Sequence, residues 1–188
     1  MTITRYDPTA NEEWLLAGSP TGLRAQTLRA LDVRTDASVL TTAVMTSVAI
    51  ALQVGDLVSN ITFKSGATAA GTPANYWFAL YSADATPALV GQSADQTSTA
   101  WAANTVKTLA LTTPYRVPVT GVYYAAIMVK ASTPPTLLGA SLGLAGASAS
   151  ILSSKVLAQT SGSALTDTAP ATIASPTAIA SVPFAVLT

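Results

Sequence analysis

The chain contains neither cysteine nor histidine. Without cysteine there is no disulfide, no thiolate nucleophile and no reading of the redox compartment. Without histidine the commonest general base, the commonest metal ligand and the side chain that titrates near neutral pH are all missing. Charge is scarce too: 10% of residues are charged, against about a quarter in an ordinary domain. The formal net charge is zero and the pI is about 6.1. That balance lacks the basic surface that nucleic-acid binding needs, and a neutral, weakly charged surface favours association. The 188 residues, 49% of them hydrophobic, suit one domain with an extension and a real core.

A membrane span is missing as well. Ala37 to Gly55 is nearly uncharged, but its apolar residues fall on even positions (Leu40, Val44, Val48, Ile50, Leu52), which is strand period. Ala131 to Ser154 is interrupted by Pro134-Pro135, three glycines and several hydroxyls, so it reads as non-spanning. The first residues, Met1 to Pro8, have no apolar stretch of the kind a signal peptide carries.

What is present is β pattern. In Pro118-Val119-Thr120-Gly121 the proline and glycine mark a turn. The run Val122 to Val129 follows, apolar on both faces. Val122, Tyr124, Ala126 and Met128 share one side, and Tyr123, Ala125, Ile127 and Val129 the other. Such a strand belongs between two packed layers, or between a sheet and a partner. Asn75 to Tyr81 reads the same way and is its natural neighbour. Further strands are expected at Val39–Leu52, Leu57–Phe63 (with Leu57, Ile61 and Phe63 on one face), Ala88–Gln92 and Thr105–Thr112. Later ones are expected at Thr136–Leu142, Ile151–Leu157 and Val182–Leu187. The expected fold is all-β: an antiparallel sandwich, jelly-roll-like, over residues 37–188, with 162–188 a Ser/Thr/Ala/Pro-rich segment ending in an apolar strand.

Residues 1–36 differ from the rest, holding nine of the eighteen charges. They read as an N-terminal arm with two short helical segments, one capped by Asn11 and stopped at Gly18, a second running from Ser19-Pro20 to about Leu31. Neither is long enough to stand alone. The arm lies either on its own body or on a neighbouring subunit, with Trp14, Leu15, Leu16, Leu23, Leu28 and Leu31 as its interface residues.

Sites of chemistry are hard to find. Gly66 and Gly71 have phosphate-loop spacing, but Thr72-Pro73 follow where a lysine and a helix are required. Ser153-Ser154-Lys155 lacks the three-residue offset of a serine–lysine pair. Asp56, Asp84, Asp95 and Asp167 are scattered through turns; Asp84 and Asp95 as calcium ligands are the weaker reading beside turn formation. Asn60-Ile61-Thr62 fits a glycosylation sequon but lies inside an expected strand. No catalytic residue, cofactor or metal site is assigned. Among the aromatics, Trp101 is the one expected near a surface, as a glycan-stacking or interface residue.

The phrases Gly66-Ala67-Thr68-Ala69-Ala70-Gly71-Thr72-Pro73, Trp77-Phe78-Ala79-Leu80-Tyr81, Thr99-Ala100-Trp101-Ala102-Ala103-Asn104-Thr105-Val106-Lys107-Thr108-Leu109 and Pro118-x-x-Gly121-x-Tyr123-Tyr124 together resemble virion proteins of tailed bacteriophages that infect actinobacteria. The resemblance covers residues 38–145. It implies a non-enzymatic structural role in many copies, made in the host cytoplasm and located in the virion. Capsid decoration is the first expectation, with itself (a homo-oligomer, a trimer favoured) and the major capsid protein as partners. A tail-associated protein partnered by tail proteins is the alternative. A carbohydrate-binding module touching the host envelope is the alternative of another class. Nucleic acid and membrane are not expected partners.

Overall fold

The computed structural model describes residues 22–29, 32–141 and 155–188. Its thirteen strands are β1 (Ala25–Gln26), β2 (Arg34–Val39), β3 (Met45–Leu52), β4 (Leu57–Lys64), β5 (Gly71–Tyr81), β6 (Leu89–Gln92), β7 (Val106–Arg116), β8 (Gly121–Thr133), β9 (Thr136–Ser141), β10 (Ala158–Ser161), β11 (Thr177–Ala178), β12 (Ser181–Pro183) and β13 (Ala185–Leu187). All pairings are antiparallel, in sheets ordered β1-β13-β4-β7, β11-β10-β3-β8-β5-β6 and β12-β9-β2. The described residues form an all-β protein.

The alternation read in the sequence decides where β8 lies. Tyr123, Ala125, Ile127 and Val129 join a core with Val48, Ile50, Ile61, Phe63, Phe78 and Leu187, between the six-stranded and four-stranded sheets. Phe63 of β4 meets Phe78 of β5 edge-on at 4.9 Å, so the two sheets touch face to face. Tyr124, Ala126 and Met128 point the other way, into a second core with Met45, Trp77, Ala79 and Tyr81. β5 pairs with β8 from Tyr76↔Val129 to Tyr81↔Tyr124, as two doubly apolar strands should.

The connections are nested. β3 pairs with β8 in the six-stranded sheet and β4 pairs with β7 in the four-stranded one. The chain therefore crosses between sheets from β3 to β4 and crosses back from β7 to β8. The last 34 residues, 155–188, then add a strand to every sheet: β10 beside β3, β12 beside β9, and β13 between β1 and β4.

Several local expectations change. The helix expected to run to Leu31 is absent from residues 22–29, which instead form β1 on the C-terminal strand, with Arg24 N–H donating to Leu187 O at 2.8 Å. An unpaired edge on β13 outcompetes a marginal local helix. The arm boundary at 36 falls within β2, which pairs with β9. The first helical segment lies outside the described residues. Of Val39–Leu52, Val39 is the last residue of β2 and Met45–Leu52 is β3, the chain between them turning where Ala43 takes a φ of 56°. Leu57 is half-buried while Val58 is fully buried, because the register with β7 shifts between Val58 and Asn60 and inverts the alternation. Residues 155–157 are not in a strand, and β10 begins at Ala158.

Candidate functional site

The second core defines the functional geography, because one segment of the chain covers it. Residues 165–173 form a strap over the outer face of the six-stranded sheet, with Leu165, Ala169 and Ile173 packed on that core. Aromatic polar ends hold it. The Trp77 indole N–H donates to Thr166 O and the Tyr81 hydroxyl to Pro170 O, both at 2.8 Å. Gln92 grips the strap twice, donating to Asp167 O and accepting from Ala169 N–H, each at 2.8 Å. Burial alone pushes the Tyr81 phenol far above its ordinary value.

Where the strap ends, a cleft of about 360 Å³ opens on the same face. The Thr86-Pro87 turn, Tyr124, Lys155, Gln159 and Ser175-Pro176 are among its lining residues. The Lys155 ammonium donates to Ala83 O at 2.7 Å and Asp84 O at 2.8 Å, and stands 5.6 Å above the Tyr124 ring. Desolvation lowers its pKa, partly offset by the Asp84 charge. The Tyr124 hydroxyl donates to Val156 O at 3.0 Å, and burial raises its pKa.

The site residues expected from sequence fall elsewhere. Trp101 is 1% exposed, which corrects its placement near a surface. It closes one end of the main core, 5.8 Å from both Tyr76 and Phe78, with its indole N–H donating to Thr105 O. Its loop is drawn inward because the Ser65 hydroxyl donates to Ala102 O and accepts from Thr105 N–H. Leu28 packs on the chain's own core and Leu23 is half-buried. Trp14, Leu15, Leu16 and Leu31 lie outside the described residues.

The Gly66–Thr72 loop has its amides engaged. The Asp36 carboxylate accepts from Ala67 N–H at 2.7 Å and from the Thr136 hydroxyl, and that hydroxyl in turn accepts from Thr68 N–H. An anion would have to displace a carboxylate already seated there. A Cβ at Gly66 would overlap the Asp36 and Thr136 side chains, so this close approach requires glycine.

Most of the other charged side chains likewise bind the chain to itself, Arg34, Lys64 and Lys130 being the exceptions among the described residues. Arg24 donates to Leu57 O, Arg116 to Gly55 O and Lys107 to Ala100 O. Asp56 accepts from Gln53 N–H, Asp84 from Ser82 and Asp95 from Asn75. Asn60 of the sequon donates to the Thr188 hydroxyl. Among the described residues no three of His, Cys, Asp and Glu gather to hold a metal, and no helix is long and apolar enough to cross a membrane.

Of the cleft residues, the sequence reading weighed Lys155 only as half of a serine–lysine pair and Tyr124 only as a face of its strand, and nothing in it brought them together. The cleft residues come from separate stretches joined only by the strap and by β10. A scan against protein-family models and a search of curated proteins each find no match to the chain.

Proposed function

We propose that this chain is a non-enzymatic structural protein of a tailed-bacteriophage virion, a decoration protein bound to the outer surface of the capsid. The observation that carries this reading is where the polar chemistry goes. Lysine, arginine and aspartate side chains from end to end of the described fold are bonded to backbone and turns of the same chain. Most of the few charges of such a molecule hold its own shape, which suits a chain that packs among neighbours. The sequence resemblance to actinobacteriophage virion proteins points the same way.

The nested pairing of β3 with β8 and β4 with β7 supports a jelly-roll-like β-sandwich as the finer description of the fold. β6 fits the scheme, since Ser93 just after it bridges to Leu111 of β7 and links the two sheets along one side. The decoration reading carries a homo-oligomer, a trimer first, seated over joints between capsid subunits. A glycan module built on Trp101 has lost its anchor, because that ring is in the core.

The test is binding to heads that lack this protein. The purified chain should bind saturably and raise the temperature at which the heads rupture. Absence of saturable binding would remove the decoration assignment and leave the tail as the place to look.

A further inference from the structure

Two turns close one end of the molecule and are bonded to one another. Residues 53–56 join β3 to β4, and residues 117–120 join β7 to β8. Gly55 N–H donates to Val117 O and Val117 N–H to Asp56 O, both at 2.8 Å, while Val54 N–H donates to the Thr120 hydroxyl at 3.0 Å. The Tyr123 hydroxyl donates to Val119 O at 2.9 Å. The backbone here is therefore held in place. Yet Val54 is 64% exposed and Val119 63%, Pro118 is exposed beside them, and neither valine belongs to a core. A single exposed valine is ordinary, but two on turns bonded to one another make an ordered apolar patch.

The same end is basic. Arg24 and Arg116 are both exposed and donate to Leu57 O at 3.4 Å and Gly55 O at 2.9 Å. A guanidinium carries five N–H groups, so each has donors beyond that one bond. Asp56, the one acid on the two turns, accepts from Gln53 N–H at 2.8 Å, and no ion pair joins it to either arginine.

Residues 1–21 attach to the body at this end, since Arg24 N–H donates to Leu187 O where β1 begins. Their charges complement it. They hold Asp7, Glu12 and Glu13 against Arg5, a net of −2, whereas residues 22–188 hold eight cations against six acids, a net of +2. Glu12 and Glu13 are the only glutamates in the chain, and they stand directly before Trp14-Leu15-Leu16. Adjacent acids and apolar side chains match adjacent arginines and valines. Leu16 is eight residues from Arg24, a reach of up to about 28 Å, against about 10 Å between packed sheets. Tethering at that length gives an effective concentration on the order of millimolar, which a second copy in dilute solution does not match. The chain's own segment is therefore the favoured occupant.

We propose that this end of the molecule is a docking site for residues 12–16 of the same chain, with Trp14 and the two leucines against Val54 and Val119, and the two glutamates on Arg24 and Arg116. The inference goes beyond the virion reading and stands apart from it. One consequence alone rests on that reading: the arm has to leave this seat before it can reach a capsid.

The test uses the full chain, free in solution. Because there is no native cysteine, Ala10→Cys takes a nitroxide at a single position, and the amide NMR spectrum is read with the nitroxide oxidised and then reduced. Signals of residues 54, 55, 119 and 120 should be lost in the oxidised state, and should stay lost after dilution into excess unlabelled chain. Raised salt should restore them in part, since exposed ion pairs are screened. Arg24→Glu with Arg116→Glu should restore them, and adding Glu12→Arg with Glu13→Arg to the same chain should remove them again. Should the arginine variant not fold, Val54→Ser with Val119→Ser, both at exposed positions, decides instead and should restore the signals. No loss of signal, or loss centred elsewhere on the body, overturns the proposal. So does loss that occurs only between different chains in a mixed sample, or loss that no folded variant relieves.

Discussion

At the scale of single residues, the aromatic side chains work as closures and clasps. Trp101 seals one end of the main core, and its truncation leaves a hole that the surrounding β-structure cannot collapse into. Trp101→Ala should therefore cost about 3–5 kcal/mol, read as a lower urea midpoint; an unchanged midpoint would mean that the ring is not buried. The tyrosines set the pH response. Tyr76, Tyr81, Tyr115 and Tyr124 all have raised pKa values, with burial the leading cause in each. The folded chain thus keeps phenolic protons that the unfolded chain releases above its ordinary value of 10.0. Their contribution is full below about pH 10 and is lost as the pH climbs through the raised values. Lys155, its pKa lowered, acts in the opposite sense, gaining stability as pH approaches its ordinary 10.5 from below, one group against four. With no histidine, melting temperature should be nearly flat between about pH 5 and 9 and fall beyond pH 10. A pronounced drop inside the neutral range would contradict this.

At the scale of elements, legibility depended on whether the deciding contact was local. β8 and β5 could be read because a strand apolar on both faces needs no further information to be placed in the interior. The inward side of β4 was half legible: Ile61 and Phe63 obeyed the alternation, but the register shift exchanged Leu57 for Val58, and nothing local announces it. Trp101 sits among small and polar neighbours, and its burial is decided by Ser65 about forty residues earlier. β1 and β10 were missed for the same reason, since each is extended only because a distant strand offers an edge. The cleft was invisible, being assembled from parts with no shared motif. β9 supplies an element-level test. A Cβ on Gly139 would run into the backbone of Val182 and Pro183 on β12. Gly139→Ala should force the two strands apart at a cost of about 1–3 kcal/mol, with hydrogen exchange accelerated in β12 before β8. Uniform exchange across both would show that the three-stranded sheet is not a separate weak point.

At the scale of the whole molecule, the C-terminal residues complete every sheet and the N-terminal ones extend two of them. A deletion of residues 1–36 would thus remove β1 and half of β2, confusing loss of an arm with damage to the body. The cleaner cut ends at residue 21. That truncation spares both strands and should lose binding to capsids; undiminished binding would mean that residues 1–21 are not the docking arm. Copy number reports where the chain sits in a particle. Quantitative mass spectrometry of purified virions against the major capsid protein should find hundreds of copies in a simple ratio to that protein. A handful per particle, or none, would contradict the decoration reading.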